Sequence, residues 1–155
     1  MSIESSASPA NTALTAPASA GLDTRALHGQ LPTDKELVLK VIPMPADCNA
    51  NGDIFGGWVM AQVDLAGAVL PARYVDGRMA TVAVNQFIFK QPVSVSDLLS
   101  FYAKVERIGR TSVTVNVEVY AERNPADLHV VKVTEANLTY VAIDLQGKPR
   151  PIPVD

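Results

Sequence analysis

The chain is 155 residues long, 48% hydrophobic and 19% charged, with a formal net charge of -3 at pH 7. That length fits one domain around one core, and the mildly acidic balance gives no general reason to expect a nucleic-acid surface. One cysteine excludes an internal disulfide framework, and with two separated histidines it offers no metal-ligand spacing.

Residues 1–33 are rich in Ala, Ser, Thr and Pro, with no sustained apolar period. Such a stretch cannot bury enough surface to offset its ordering entropy, so a disordered tail is predicted, with His28 inside it and remote from catalysis. No basic segment followed by an apolar core opens the chain, and Glu4 stands where a signal peptide is positive. The expected compartment is the cytoplasm. The folded domain is expected over residues 34–155.

Leu37-Val38-Leu39-Lys40-Val41-Ile42 reads as a first strand, stopped by Pro43 and Pro45. The prolines lead into Asn49-Ala50-Asn51-Gly52-Asp53-Ile54-Phe55-Gly56-Gly57-Trp58, a turn-forming loop that sets one carboxylate against the start of a helix. Over residues 58–70 only Gln62 and Asp64 are polar. A helix apolar nearly all round is buried or spans a membrane, and spanning needs about 20 consecutive apolar residues. This run is shorter, so a buried central helix is predicted, about 20 to 25 Å long at about 1.5 Å per residue. Gly67 costs up to about 1 kcal/mol there relative to Ala, a loss that close packing on a strand would offset. Pro71 marks the exit.

After an Asp76-Gly77 turn, residues 79–90 form a second strand, apolar on both faces as a central strand is. Pro92 ends it. In Leu98–Ile108, Leu99, Phe101, Ala103 and Val105 alternate with Ser100, Tyr102, Lys104 and Glu106. Gly109-Arg110 suits a hairpin turn, and the chain returns with Val113, Val115, Val117, Val119 and Ala121 on one face before Asn124-Pro125. A last strand covers residues 129–143, ahead of an Asp144-Leu145-Gln146-Gly147 turn. The later connections are too short for crossovers, so the sheet is mostly antiparallel. Strand, helix, then four strands makes an α+β layer, one five-stranded sheet around one long buried helix.

The chemistry gathers at Asp53. The first N–H groups of a helix lack intrahelical acceptors and carry the positive end of its dipole, and Gly56 and Gly57 have no Cβ to hold a ligand carbonyl away. A carboxylate beside them can take a proton from water or attack a carbonyl itself. The amides of Gly56, Gly57 and Trp58 would stabilise the resulting oxyanion, at about 2.7 to 4 kcal/mol for one such donor. Together these parts outline acyl transfer. The same residues also fit a plainer role, with Asn51-Gly52 a tight turn, Asp53 a cap and the glycines packing devices. Cys48 is a rival nucleophile, but no histidine or cation cluster nearby in sequence would make it a thiolate. His129 reads as a surface or packing residue, and neither a G-x-S-x-G elbow nor a P-loop is present.

Pro45-Ala46-Asp47-Cys48 with the loop that follows it, Lys90-Gln91-Pro92-Val93, Gly109-Arg110-Thr111-Ser112-Val113, Thr134-Glu135-Ala136 and Tyr140-Val141-Ala142 together resemble the hotdog-fold acyl-CoA thioesterases of the YciA type. The likeness covers about residues 35–152. It implies a hotdog fold, hydrolysis of acyl-CoA to free acid and CoA, and a place in fatty acid metabolism. No cofactor is implied, CoA being part of substrate and product. The expected partners are acyl-CoA and further copies of the chain, a dimer unit with sites at the subunit interface, often assembled as a trimer of dimers (a homohexamer), with neither nucleic acid nor membrane.

The family's catalytic aspartate corresponds to Asp53 and its glycine-rich helix start to Gly56 and Gly57, with Asn51 and Trp58 beside them as substrate contacts. The hairpin step that contacts CoA corresponds to Arg110, Thr111 and Ser112. Lys90 and Arg107 are further phosphate-partner candidates, the alternative being solvated surface cations. Cys48 departs from the family pattern, which has a small polar residue there. Trp58, Met60 and Phe87 are candidates to limit an acyl tunnel, with ordinary core packing as the alternative. Two other functions share the scaffold. A hydratase or dehydratase pairs its carboxylate with a histidine, which this stretch lacks, and a non-catalytic acyl-CoA sensor carries an output module unlike residues 1–33.

Overall fold

Alternation in the second half of the chain becomes a single antiparallel sheet. A computed structural model describes residues 31–123, 126 and 128–153; the expected tail up to residue 30, His28 and the Asn124-Pro125 turn lie outside the described residues. The strands are β1 (Glu36–Val41), β2 (Met79–Phe89), β3 (Leu98–Ile108), β4 (Ser112–Arg123) and β5 (His129–Ala142). They stand in the order β1-β3-β4-β5-β2. Every neighbouring pair is antiparallel. Between β1 and β2 the chain forms α1 (Gly56–Ala68) and the short α2 (Ala72–Val75), and α1 lies against β1, β3, β4 and β5.

The inward face of the sheet is the predicted one. Leu99, Phe101 and Ala103 of β3, the valines of β4 from Val113 to Val119, and Ala136, Leu138 and Tyr140 of β5 are almost fully buried. They join Val59, Val63 and Ala66 of α1 in one core. Each buried valine or leucine among them contributes about 1.5 to 3 kcal/mol. The opposite face of the sheet is polar. Asn116 donates to Asn137 at 2.9 Å and to Glu135 at 3.3 Å, and Lys132 donates to Glu118 at 2.6 Å and to Glu135 at 2.7 Å.

One expectation is corrected. β2 is not central, because it pairs with β5 alone and forms an edge of the sheet, with Val82, Val84 and Ile88 exposed. Apolarity on both faces reports a preference for burial without saying what supplies it, and the tightly connected β3-β4-β5 meander takes the middle. The β2 ladder also breaks between Asn85 and Ile88, where Gln86 adopts φ 53. The long helix packed on the sheet is as expected, with one side of it turned outward. It buries Val59, Val63, Ala66 and Gly67 but leaves Met60 42% and Leu65 62% exposed, since one sheet covers only one side of a helix. Among the described residues no helix is long and apolar enough to cross a membrane.

Candidate active site

The loop carrying Asp53 is organised by the side chain of Asn49. Its Oδ1 accepts the N–H of Asn51 at 2.9 Å and of Asp53 at 3.2 Å. The Asn49 N–H donates to the Asp53 carbonyl at 2.7 Å, and Gly52 donates to the Asn49 carbonyl at 3.0 Å. Gly52 takes φ 84, a left-handed conformation open to glycine without steric cost. Two outside contacts pin the loop: Phe55 N–H donates to the Asp47 carbonyl at 3.0 Å, and Ile54 N–H to the Val93 carbonyl at 2.9 Å. Cys48 belongs to this framework, its thiol donating to the Gly52 carbonyl at 3.7 Å.

Asp53 lines a cleft of about 290 Å³, with Ile54, Gly56 and Val59 on its own side and Phe89, Lys90, Gln91, Pro92 and Val93 facing them. It does not cap the helix. The N-cap is Phe55, which offers no side-chain oxygen, and among the described residues the Asp53 carboxylate takes no hydrogen bond or ion pair. Trp58 spends its N–H on the Phe55 carbonyl at 3.0 Å and so leaves the expected trio of donors. Gly56 and Gly57 remain, their amides without acceptors among the described residues. The two glycines differ in surroundings. A Cβ on Gly56 would meet the Phe89 ring at 3.2 Å, whereas one on Gly57 would meet nothing within 4 Å. Gly56 therefore has a packing reason to be glycine, and Gly57 has an open approach. Asn51 sits exposed at the loop tip, and Trp58 is half-buried against the core.

Lys90, also in the cleft wall, is 3.7 Å from Glu135 in a partly exposed pair, which leaves it readily drawn to another anion. Glu135 is held below the usual carboxylate range by the hydrogen bond from Lys132, against an opposing push from burial. Burial pulls the Lys132 ammonium down, but the hydrogen bonds to Glu118 and Glu135 outweigh it and the net shift is upward.

The other sequence candidates lie elsewhere. Phe89 pairs with Thr134 and Thr134 with Val119, whereas Ser112 pairs with Val141. The hairpin and the cleft are thus separated by the length of β4 from Ser112 to Val119, about 23 Å at about 3.3 Å per residue. Arg107 and Arg110 are exposed there, with Thr111 and Ser112 half-buried. Backbone bonds fix the hairpin: the carbonyls of Arg110, Thr111 and Ser112 accept from Ile152, Ala142 and Gly109 at 2.8, 2.9 and 2.7 Å. One chain does not bring the two groups together. The sequence reading missed Phe89 and the part played by Gln91-Pro92-Val93 as a wall. Pro92 signals the end of β2, but nothing local says that the following residues turn along Asp53. Phe87 packs on the core and against Phe89, ring centroids 4.9 Å apart.

The sequence profile of the thioesterase superfamily matches residues 51–126. The acyl-CoA thioester hydrolase YciA of Salmonella typhimurium is 47% identical over 121 residues, spanning 77% of this chain and 91% of that one. A hexameric thioesterase from Yersinia pestis is 45% identical with a TM-score of 0.74, over 80% of this chain and 99% of that one. A hexameric hotdog-fold thioesterase of Campylobacter jejuni is 40% identical, also at a TM-score of 0.74, over 79% and 93% of the two chains. Matching sequence across nearly the whole described domain, on the same sheet and helix, shows that the chain has the hotdog fold and belongs to the thioesterase superfamily, in the family of the YciA acyl-CoA thioester hydrolases.

Proposed function

We propose that the chain hydrolyses acyl-CoA to a free carboxylic acid and CoA, with Asp53 as the attacking or proton-accepting group and the amides of Gly56 and Gly57 as the oxyanion site. The observation that carries this reading is the shared cleft: a carboxylate that finds no partner among the described residues opens onto the same space as Gly56, whose amide meets no acceptor among them. Membership in a family of thioester hydrolases supports the reaction class.

The thioester oxygen points at the two amides. Asp53 either takes a proton from a water whose oxygen bonds to the carbonyl carbon, or bonds to that carbon itself and forms a mixed anhydride that water then cleaves. The C–S bond breaks in both routes, and the CoA sulfur leaves and takes up a proton. Ile54, Val59 and Val93 make the cleft apolar, which strengthens the pull of fixed amides on developing charge. In a single turnover in oxygen-18 water, direct attack by water puts solvent oxygen into the released acid, whereas an anhydride cleaved at the Asp53 carbonyl puts it into Asp53, which separates the two.

The same reading assigns the active unit to more than one copy. The hairpin with Arg110, Thr111 and Ser112 is too far from Asp53 within a chain, while the outer side of α1 and the free edge of β2 are apolar surfaces fit for a second copy. Relatives from Yersinia pestis and Campylobacter jejuni are hexameric. A dimer unit that shares its sites, assembled as a trimer of dimers, accounts for both. Asp53→Asn and Asp53→Ala test the chemistry. Turnover across an acetyl- to palmitoyl-CoA panel, followed by free thiol, is expected to fall by about 10²- to 10⁴-fold; activity within a few-fold of the parent removes Asp53 from this role.

A further inference from the structure

The cleft wall opposite α1 belongs to no strand. After Phe89 the chain leaves β2 and rejoins the sheet at Leu98, and Gln91, Pro92 and Val93 face the cleft on the way. The N–H groups of Lys90 and Gln91 donate to the Val133 carbonyl at 2.7 and 3.4 Å. Beyond them, side chains hold the segment. Asp97 is 2% exposed. Its carboxylate accepts the Ser94 N–H at 3.0 Å and the Arg123 Nε–H at 3.1 Å on both oxygens. The same guanidinium donates from Nη2 to the Pro92 carbonyl. The next carbonyl, that of Val93, accepts the Ile54 N–H at 2.9 Å, and Ile54 adjoins Asp53. A path of polar contacts therefore runs from the end of β4 to the backbone beside the candidate catalytic carboxylate.

Stability alone is a poor account of this pair. Taking a carboxylate out of water is costly, and well-packed apolar side chains of similar volume often hold a fold as well or better. A guanidinium adds direction, because its planar fork fixes a carboxylate and a carbonyl at once. We propose that Asp97 and Arg123 are positioning residues for Asp53: they fix Pro92 and Val93, and Val93 holds Ile54 and with it the loop that aims the carboxylate. This inference rests on Asp53 acting at the thioester. Reacting atoms must lie about 3 to 3.5 Å apart, and a displacement of about 1 Å can cost about 10²-fold.

Arg123→Lys and Asp97→Asn in the full chain test it. Lysine keeps a charge beside Asp97 but cannot reach the carboxylate and the Pro92 carbonyl together; asparagine keeps the shape and weakens the acceptor. With hexanoyl-CoA as substrate, kcat is expected to fall roughly tenfold or more while KM stays within about twofold. Amide exchange is expected to quicken at Ile54 and to stay at the parent rate at Val115 in β4. A pair that served only the fold would quicken exchange at both residues and leave kcat per folded molecule unchanged, and that result overturns the proposal. So does parent-like exchange at Ile54 in both variants. Should the parent turn over no acyl-CoA, the reading of Asp53 fails, and Ile54 exchange by itself then decides the mechanical link.

Discussion

The phenolic oxygen of Tyr140 fills the space that a side chain at Gly67 would need, since a Cβ on Gly67 would fall 2.5 Å from it. That oxygen donates to the Asp64 backbone carbonyl at 2.7 Å, and Thr81 donates to the Asp64 carboxylate at 2.8 Å. β5 and α1 are thus latched together. Burial first, and then the charge of Asp64, push the Tyr140 phenol well above its ordinary pKa, which keeps it a neutral donor.

Gly67→Ala is expected to destabilise the chain by about 1 to 3 kcal/mol through overpacking, although alanine gains up to about 1 kcal/mol in helix propensity. In a Tyr140→Phe background most of that loss should vanish, because the clashing oxygen is gone. Urea unfolding of the four proteins in this cycle measures it; an equal loss in both backgrounds would place the cause elsewhere.

At Gly57 stability and activity should separate. A methyl there meets no atom within 4 Å, so Gly57→Ala should leave the thermal midpoint unchanged or raise stability by up to about 1 kcal/mol. It also crowds the approach to a bare amide, and kcat should fall by roughly tenfold or more. Both quantities are read on one preparation, and parent-like turnover would clear Gly57 of a role at the carbonyl.

Leu65→Glu probes the open side of α1. The position is 62% exposed in the single chain, so a charge costs the isolated fold little. Buried against a second copy, an unpaired carboxylate costs several kcal/mol. Smaller particles by size exclusion, with parent-like circular dichroism and lost turnover, are expected. Particles of parental size would show that this face is not an interface.

Acid should find Glu135. Its folded pKa is lowered, chiefly by the Lys132 hydrogen bond, so its contribution to stability is complete above the unfolded value and is lost as pH falls below about 4.5 through the folded value. Glu135→Gln removes that linkage. Thermal midpoints between about pH 6 and 3 should fall less steeply than in the parent, and parallel curves would refute the assignment.

Much of this molecule is legible in its sequence because the deciding forces act between near neighbours. The alternation from Val113 to Ala121 fixes which face of β4 is buried, Asn49 and Gly52 shape their own loop, and two glycines open α1 beside the only carboxylate of that loop. Each follows from strand period, turn chemistry or helix-end geometry. Other relations require the fold. Trp58 loses its amide to Phe55, Phe89 comes down on Gly56, and Arg123 reaches Pro92 and Asp97 across a strand register. β2 becomes an edge although its composition suits the middle of a sheet. Such contacts join residues far apart along the chain, and they depend on strand order and on which apolar face finds a partner. Local pattern states what each segment prefers; only packing in three dimensions decides which preferences meet.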